Sequence, residues 1–385
     1  MTRATTTSLL ERLIAFDTTS CHANLSMIHF IKQYLEDYGV ASKLVFDDTG
    51  RKANLYAIIG PQDKPGVMLS GHTDTVPVEG QVWTKPAFTL TQDGDRFYGR
   101  GTADMKGFQA VVLQAVPAMV QRKLRLPIHL AFSYDEEIGC IGVRRLIDVM
   151  NQQPSQPLCC IIGEPTSMDV VTAHKGKVAL AVTVKGKACH SGLAPLGVNA
   201  ISYAARLINW LDNKASDKQN NGPFEEGYDI PFTTVHVGKL SGGIALNIVP
   251  DRCSFSFEIR YINGDNPHQI IDDFMGYADE LVREMRLVDP TCKIDTEIVT
   301  EYPGLKTTDR ADIIEFVQRL AGKNTMNKVN FGTEGGLFDT RLHIPTVVCG
   351  PGSMQQGHKP DEFITQSQLE DCELFIDRLL DELTE

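Results

Sequence analysis

The sequence predicts an α/β protein in which a sheet-and-helix domain is interrupted by a smaller α+β domain. Three observations predict it. Strands alternate with helices up to about residue 177, the order becomes β-α-β-β-α-β over 178–294, and strand–helix alternation resumes over 295–385. The 385 residues suffice for one large or two ordinary domains. With 42% hydrophobic and 22% charged residues, the chain has the composition of a protein that buries a sizeable core.

Helical periodicity marks residues 6–16, where Leu9, Leu10, Leu13 and Ile14 recur on one face, and residues 25–38. Strand-like runs follow at "KLVF", "NLYAIIG" and "VMLSG", then a helix in "MKGFQAVVLQAVPAMV", a strand in "PIHLAFSY", a helix in "VRRLIDVM" and a strand in "LCCIIG". This alternation predicts a discontinuous domain, 1–177 and 295–385, with a mostly parallel sheet and helices on both faces. Over 178–294, "VALAVTVKG" alternates as a strand, a helix spans about Val198 to Leu211, and "NKASDKQNNGPFEEGYDI" reads as a long exposed loop. The strands "FTTVHVGKL" and "CSFSFEIRY", a helix over Pro267 to Met285 and a strand near "KIDTEIV" complete a ferredoxin-like order. "IPTVVCG" and a closing helix over 366–383 return the chain to the first domain.

A net charge of −12 disfavours nucleic acid or an anionic membrane as partner and mildly favours a cationic small molecule. The nine cysteines follow no CxxC spacing and sit mostly in apolar runs, which predicts free thiols and a cytoplasmic setting. The N-terminal stretch lacks the apolar core of a signal peptide, and no apolar run approaches the ~18 residues of a membrane span.

His72 and Asp74 lie two positions apart at the end of a strand, so both side chains point to one side. Asp104 precedes a helix, Glu136 and Glu137 follow "LAFSYD", Glu164 follows "CCIIG", and His358 follows "VVCGPG". Taken singly, Asp104 reads as a helix cap and the Glu pair as a solvated helix start. Together they recur at the carboxyl edge of one sheet, where ligands bind. Two imidazoles with three carboxylates and no thiolate suit Zn²⁺, Co²⁺ or Mn²⁺. Five ligands exceed one open tetrahedral zinc but match two divalent ions sharing a carboxylate and a water. The charges of Asp104, Glu137, Glu164 and a hydroxide then balance the two ions.

The motifs "SGHTDTVP", "GRGTADMKG", "YDEEIG", "IIGEPT" and "GPGSMQQGHKPDEF", spread in order between about residues 10 and 380, resemble the signatures of the di-zinc amidohydrolase family. That family contains acetylornithine deacetylases, succinyl-diaminopimelate desuccinylases, aminoacylases and related carboxypeptidases. "AHKGK", "CHSGLAPLGVNAI" and "GTEGGLF" are most similar to its acetylornithine deacetylase branch.

The resemblance implies that His72, Asp104 and Glu164 hold one metal while Glu137, His358 and the bridging Asp104 hold the other. It implies that Asp74 orients the His72 ring and that Glu136 is the general base. His190, in the inserted domain, would stabilise the oxyanion from the other subunit of a homodimer formed through that domain. Arg260 and Asn247 would bind the substrate carboxylate, although Arg260 also reads as a surface salt bridge. In "FGTEGG", Glu334 would meet a substrate ammonium and Gly335 would let the backbone approach, although a Glu at a helix start looks the same.

The activity so implied is hydrolysis of N²-acetyl-L-ornithine to L-ornithine and acetate in arginine biosynthesis. Other N-acyl-amino-acid amidohydrolases or dipeptidases on the same metal core are the near alternatives. A succinyl substrate would need an additional cationic cluster, and no convincing one is seen. A non-catalytic relative should lack a ligand or the base, and none is missing. A metallophosphatase should show phosphate donors; there is neither a P-loop nor a rich basic cluster.

Overall fold

The computed structural model describes residues 4–153, 155–307 and 310–385. Two compact units are present. The first takes the chain up to His174 with Leu305–Lys328 and Thr333–Glu385; the second takes Lys175–Gly304 with Val329–Gly332. The chain rejoins the first unit at Leu305 rather than at the expected 295. In the structure, strand Lys293–Tyr302 pairs with Gly176–Lys185 along its length and stays with the second unit.

The first unit carries a nine-stranded sheet. Its order is Ser42–Phe46, Ala53–Ile59, Ile128–Ser133, Val67–His72, Cys159–Ile162, Thr346–Val348, Val171–His174 and Leu305–Lys306, with Asn327–Val329 beside Val171–His174. The α/β class holds, and the parallel pairing expected across the sheet is confined to its centre. Val67–His72 runs parallel to Ile128–Ser133 and to Cys159–Ile162, which is parallel to Thr346–Val348. The flanking pairs are antiparallel. At one flank the cause is local: Asp47 Oδ1 accepts the amides of Arg51 and Lys52, closing a short turn between Ser42–Phe46 and Ala53–Ile59 that leaves no room for a crossover helix.

The central strands are buried throughout, which is why they read as near-continuous apolar runs rather than alternating ones. Helix Thr6–Ile14 buries Leu9, Leu10, Leu13 and Ile14, and together with Gly107–Gln121 and Gln366–Leu383 it shares one core with these strands. A small sheet of Phe363–Thr365, Arg96–Tyr98 and Thr91–Asp93 was not anticipated, because three-residue strands carry too little pattern to read.

The second unit's sheet is antiparallel. Its order is Thr234–Gly242, Arg252–Tyr261, Gly176–Lys185 and Lys293–Tyr302, the ferredoxin-like arrangement. Val178, Leu180, Val182 and Val184 alternate into a core with Phe257 and Phe274. Helix Ala200–Asn221 runs well into the stretch expected to be loop. Beyond Leu211 it is held by charge rather than apolar burial: Lys214 meets Asp273 at 3.2 Å and Lys218 meets Asp265 at 2.8 Å. It stops at Gly222, whose φ is +75°. Among the described residues no helix is long and apolar enough to cross a membrane.

Candidate metal centre

Strand Val67–His72 delivers His72 to the carboxyl edge of the sheet, where it is 2% exposed. Its Nδ1 lies 3.0 Å from the main-chain oxygen of Asp74 and 3.6 Å from Asp74 Oδ1. An Nδ1–H directed at that carbonyl leaves the Nε2 lone pair free to bind a metal. Nε2 faces Asp104 Oδ1 at 3.0 Å and Glu164 Oε1 at 3.5 Å.

The Asp74 carboxylate, besides facing the His72 ring, has backbone and hydroxyl partners. Its Oδ1 accepts the amide of Glu136 (3.1 Å), and its Oδ2 accepts the amide of Glu137 (3.2 Å) and the Ser20 hydroxyl (2.7 Å). The carboxylate therefore braces the backbone of the Glu pair, while the carbonyl of the same residue fixes the imidazole.

Asp104 lies in the turn before helix Gly107–Gln121, where its φ and ψ of −124° and 91° depart from helical values and its bond to Met105 is cis. The turn aims the two carboxylate oxygens at different imidazoles. Oδ1 meets His72, and Oδ2 lies 3.1 Å from His358 Nε2. His358 Nε2 is also 3.2 Å from Glu137 Oε2. Ligand atoms of His72, Asp104 and Glu137 all lie within 4.8 Å of one another, as do those of His72, Glu136 and Glu164.

The electrostatics of this cluster ask for cations. Desolvation and the neighbouring Asp104 charge raise the pKa values of Glu164 and Glu137, and desolvation raises that of Glu136. Burial works against ionising Asp104, but hydrogen bonds with His358 and His72 hold its pKa below the usual range. Hydrogen bonds to Asp104 and Glu137 push His358 up to about 11. Four carboxylates converge on two imidazoles, so the donor set fits two divalent cations.

Glu334 is 1% exposed; burial pushes its pKa to about 7, with the Ser133 hydroxyl working the other way. Gly335 follows it and opens helix Gly335–Leu342. His190, Asn247 and Arg260 belong to the second unit. His190 pairs backbone to backbone with Ile248, its Nδ1 accepts the Gly192 amide at 3.1 Å, and the Asn247 carbonyl accepts the Ser191 amide at 3.0 Å. Arg260 donates from Nε to Glu258 Oε1 at 2.8 Å, the salt bridge that was its alternative reading.

Sequence reasoning missed several residues around the centre. Glu362 Oε1 accepts the amides of Ala103 (3.0 Å) and Asp104 (3.1 Å), and its Oε2 meets Arg100 Nη1 at 2.6 Å. Fully buried Lys106 donates to the carbonyls of Leu13 (3.2 Å) and Phe16 (2.8 Å), and burial lowers its pKa to about 7. The Cys140 thiol lies 3.4 Å from Glu136 Oε1. Arg100 and Lys106 lie inside "GRGTADMKG" and Glu362 inside "HKPDEF". Their place inside the same motifs as Asp104 and His358 was the signal available.

Residues 68–382 match the model of Peptidase family M20/M25/M40. The chain is 33% identical over 374 residues, 96% of its length and 95% of the relative's, to an acetylornithine deacetylase of Myxococcus xanthus. Among solved structures it is similar to an M20 family metallo-carboxypeptidase from Sulfolobus solfataricus, with a TM-score of 0.77 and 17% identity over 97% of this chain and 98% of that one. It is also similar to a dinuclear metal binding M20 peptidase from Bacillus subtilis, with a TM-score of 0.64 and 15% identity over 98% and 97%. The fold and site define a metal-dependent amidohydrolase. The chain belongs to Peptidase family M20/M25/M40.

Proposed function

We propose that the chain hydrolyses N²-acetyl-L-ornithine to L-ornithine and acetate in the cytoplasm, with two zinc ions as cofactors and cobalt as an alternative. The observation that carries the two-metal reading is Asp104, whose two oxygens face two different imidazoles at 3.0 and 3.1 Å. His72, Asp104 and Glu164 would hold one ion; Asp104, Glu137 and His358 would hold the other. The similarity to acetylornithine deacetylase over nearly the whole chain supports the substrate. Glu334 supports it too, being a buried carboxylate that a side-chain ammonium would pair with. The nine cysteines form no disulfide, which supports a reducing compartment.

Bound divalent cations supply acidity, lowering a water's pKa from about 15.7 towards about 7 and polarising the amide carbonyl. Glu136 takes the proton of the attacking water and passes it to the departing amine. Asp74 keeps the Glu pair in place through its two amides. His190 donates to the oxyanion, across a homodimer built through the second unit. Arg260 and Asn247 bind the α-carboxylate, and the backbone at Gly335 lines the side-chain end.

The test is kcat/KM for acetylornithine, acetylcitrulline, acetylmethionine and succinyl-diaminopimelate with the zinc- or cobalt-loaded protein. Acetylornithine is expected to lead clearly. Preference for any of the others overturns the substrate and leaves the metal centre standing.

A further inference from the structure

Arg100 and Glu362 are each 1% exposed and pair at 2.6 Å. Replacing a buried ion pair with apolar residues of similar size is often neutral for stability or better, so stability alone does not account for this one. What distinguishes it is where its remaining hydrogen bonds go. Glu362 Oε1 takes the amides of Ala103 and Asp104, the turn that carries the carboxylate shared by the two imidazoles. Arg100 Nη1 also donates to the carbonyl of Lys359 at 3.3 Å, next to His358. Arg100 Nη2 donates to Gln81 Oε1 at 2.6 Å, and Gln81 Nε2 donates to the His358 carbonyl at 3.1 Å. The guanidinium lies 4.9 Å from the Trp83 ring centre, and Asp361 accepts the Thr84 amide at 2.9 Å and its hydroxyl at 2.8 Å. Three loops distant in sequence, 77–85, 100–104 and 358–362, are thus tied through one ion pair.

We propose that Arg100 and Glu362 are positioning residues that lock the Asp104 turn to the His358 loop, so that the position formed by Asp104, Glu137 and His358 takes a metal tightly only when this pair is intact. His72 and Glu164 are not tied to the pair, so the other position depends on it less. The inference rests on the two-metal reading above.

The test is equilibrium zinc binding to the full chain stripped of metal, measured by competition with a chromophoric chelator. Wild type is expected to bind two equivalents; fewer sinks the two-metal reading and this inference with it. In Arg100→Met/Glu362→Met, which keeps the volume and leaves no lone charge, one of the two equivalents is expected to lose about 10- to 100-fold in affinity, the usual effect of removing an outer partner of a metal ligand. The other should change less. The melting temperature of the stripped variant should fall, because the amides of Ala103 and Asp104 lose their acceptor; a merely structural pair would move that temperature and neither affinity. Both equivalents binding as in wild type, with wild type itself binding two, overturns the inference alone. Should the double variant not fold, Gln81→Ala leaves the Arg100–Glu362 ion pair in place and removes the Gln81 side chain that links Arg100 and Trp83 to the His358 carbonyl. It is expected to weaken the same equivalent, and unchanged binding in that variant also overturns the proposal.

Discussion

Asp104 can face two imidazoles only because the turn before its helix leaves helical geometry and aims one oxygen each way. Glu136 stands beside that arrangement with its amide pinned by Asp74. Glu136→Gln is therefore expected to keep both metals, counted by atomic emission, and to lower kcat by about 10²- to 10⁴-fold. Retained turnover would remove Glu136 from the reaction. Glu334→Gln is expected to lower kcat/KM for acetylornithine at least about tenfold relative to acetylcitrulline, whose side chain is neutral, because it deletes a buried charge partner. An unchanged ratio excludes Glu334 from side-chain recognition. Away from the centre, His129 Nδ1 meets the Tyr56 hydroxyl at 2.6 Å, and burial lowers the histidine to about 4 from an ordinary 6.5. The unfolded chain thus takes up this proton first as pH falls. The stability due to neutral His129 is complete above 6.5 and is lost between 6.5 and 4, by up to about 1.4 kcal/mol per pH unit. His129→Gln should narrow its stability gap to wild type between pH 7.5 and pH 5, read from urea midpoints; a constant gap refutes the assignment. Residues such as His72, Glu164 and His358 were legible because each follows an apolar strand within a short motif. Arg100 and Glu362 were not, since each acquires meaning only from a partner 262 positions away.

Elements were legible where burial imposes a period. The central strands and the alternating Gly176–Lys185 declare themselves by their apolar pattern. Helix Ala200–Asn221 does not, because its last turns rest on ion pairs with residues outside it. Pairing direction was equally hidden at the flanks of the sheet, where it depends on a turn rather than on the strands themselves. Gly163, between strand Cys159–Ile162 and Glu164, shows how tightly the centre of the sheet is built. A Cβ there would lie 2.1 Å from Cγ of Phe108. Gly163→Ala is expected to cost about 1–3 kcal/mol through overpacking and to weaken zinc binding by displacing Glu164. Thermal unfolding and metal titration of the stripped protein test this together. A variant as stable as wild type shows that Phe108 yields.

The two units have separate apolar cores, one around the nine-stranded sheet and one between the four-stranded sheet and its helices. The five proposed metal ligands all lie in the first. Metal at about 100 times its dissociation constant stabilises a folded site by about 2.7 kcal/mol. Calorimetry with and without a chelator is therefore expected to move the unfolding of the first unit and leave that of the second unchanged. Equal shifts in both would show that they melt as one. The thiols have a practical consequence of their own. Seven of the nine cysteines are buried and Cys189 is half covered, while Cys21 is exposed next to Ser20, whose hydroxyl holds Asp74. A maleimide dye can be attached there without engineering the chain, and its fluorescence would report ion loading from a native side chain one residue from the hydroxyl that holds Asp74.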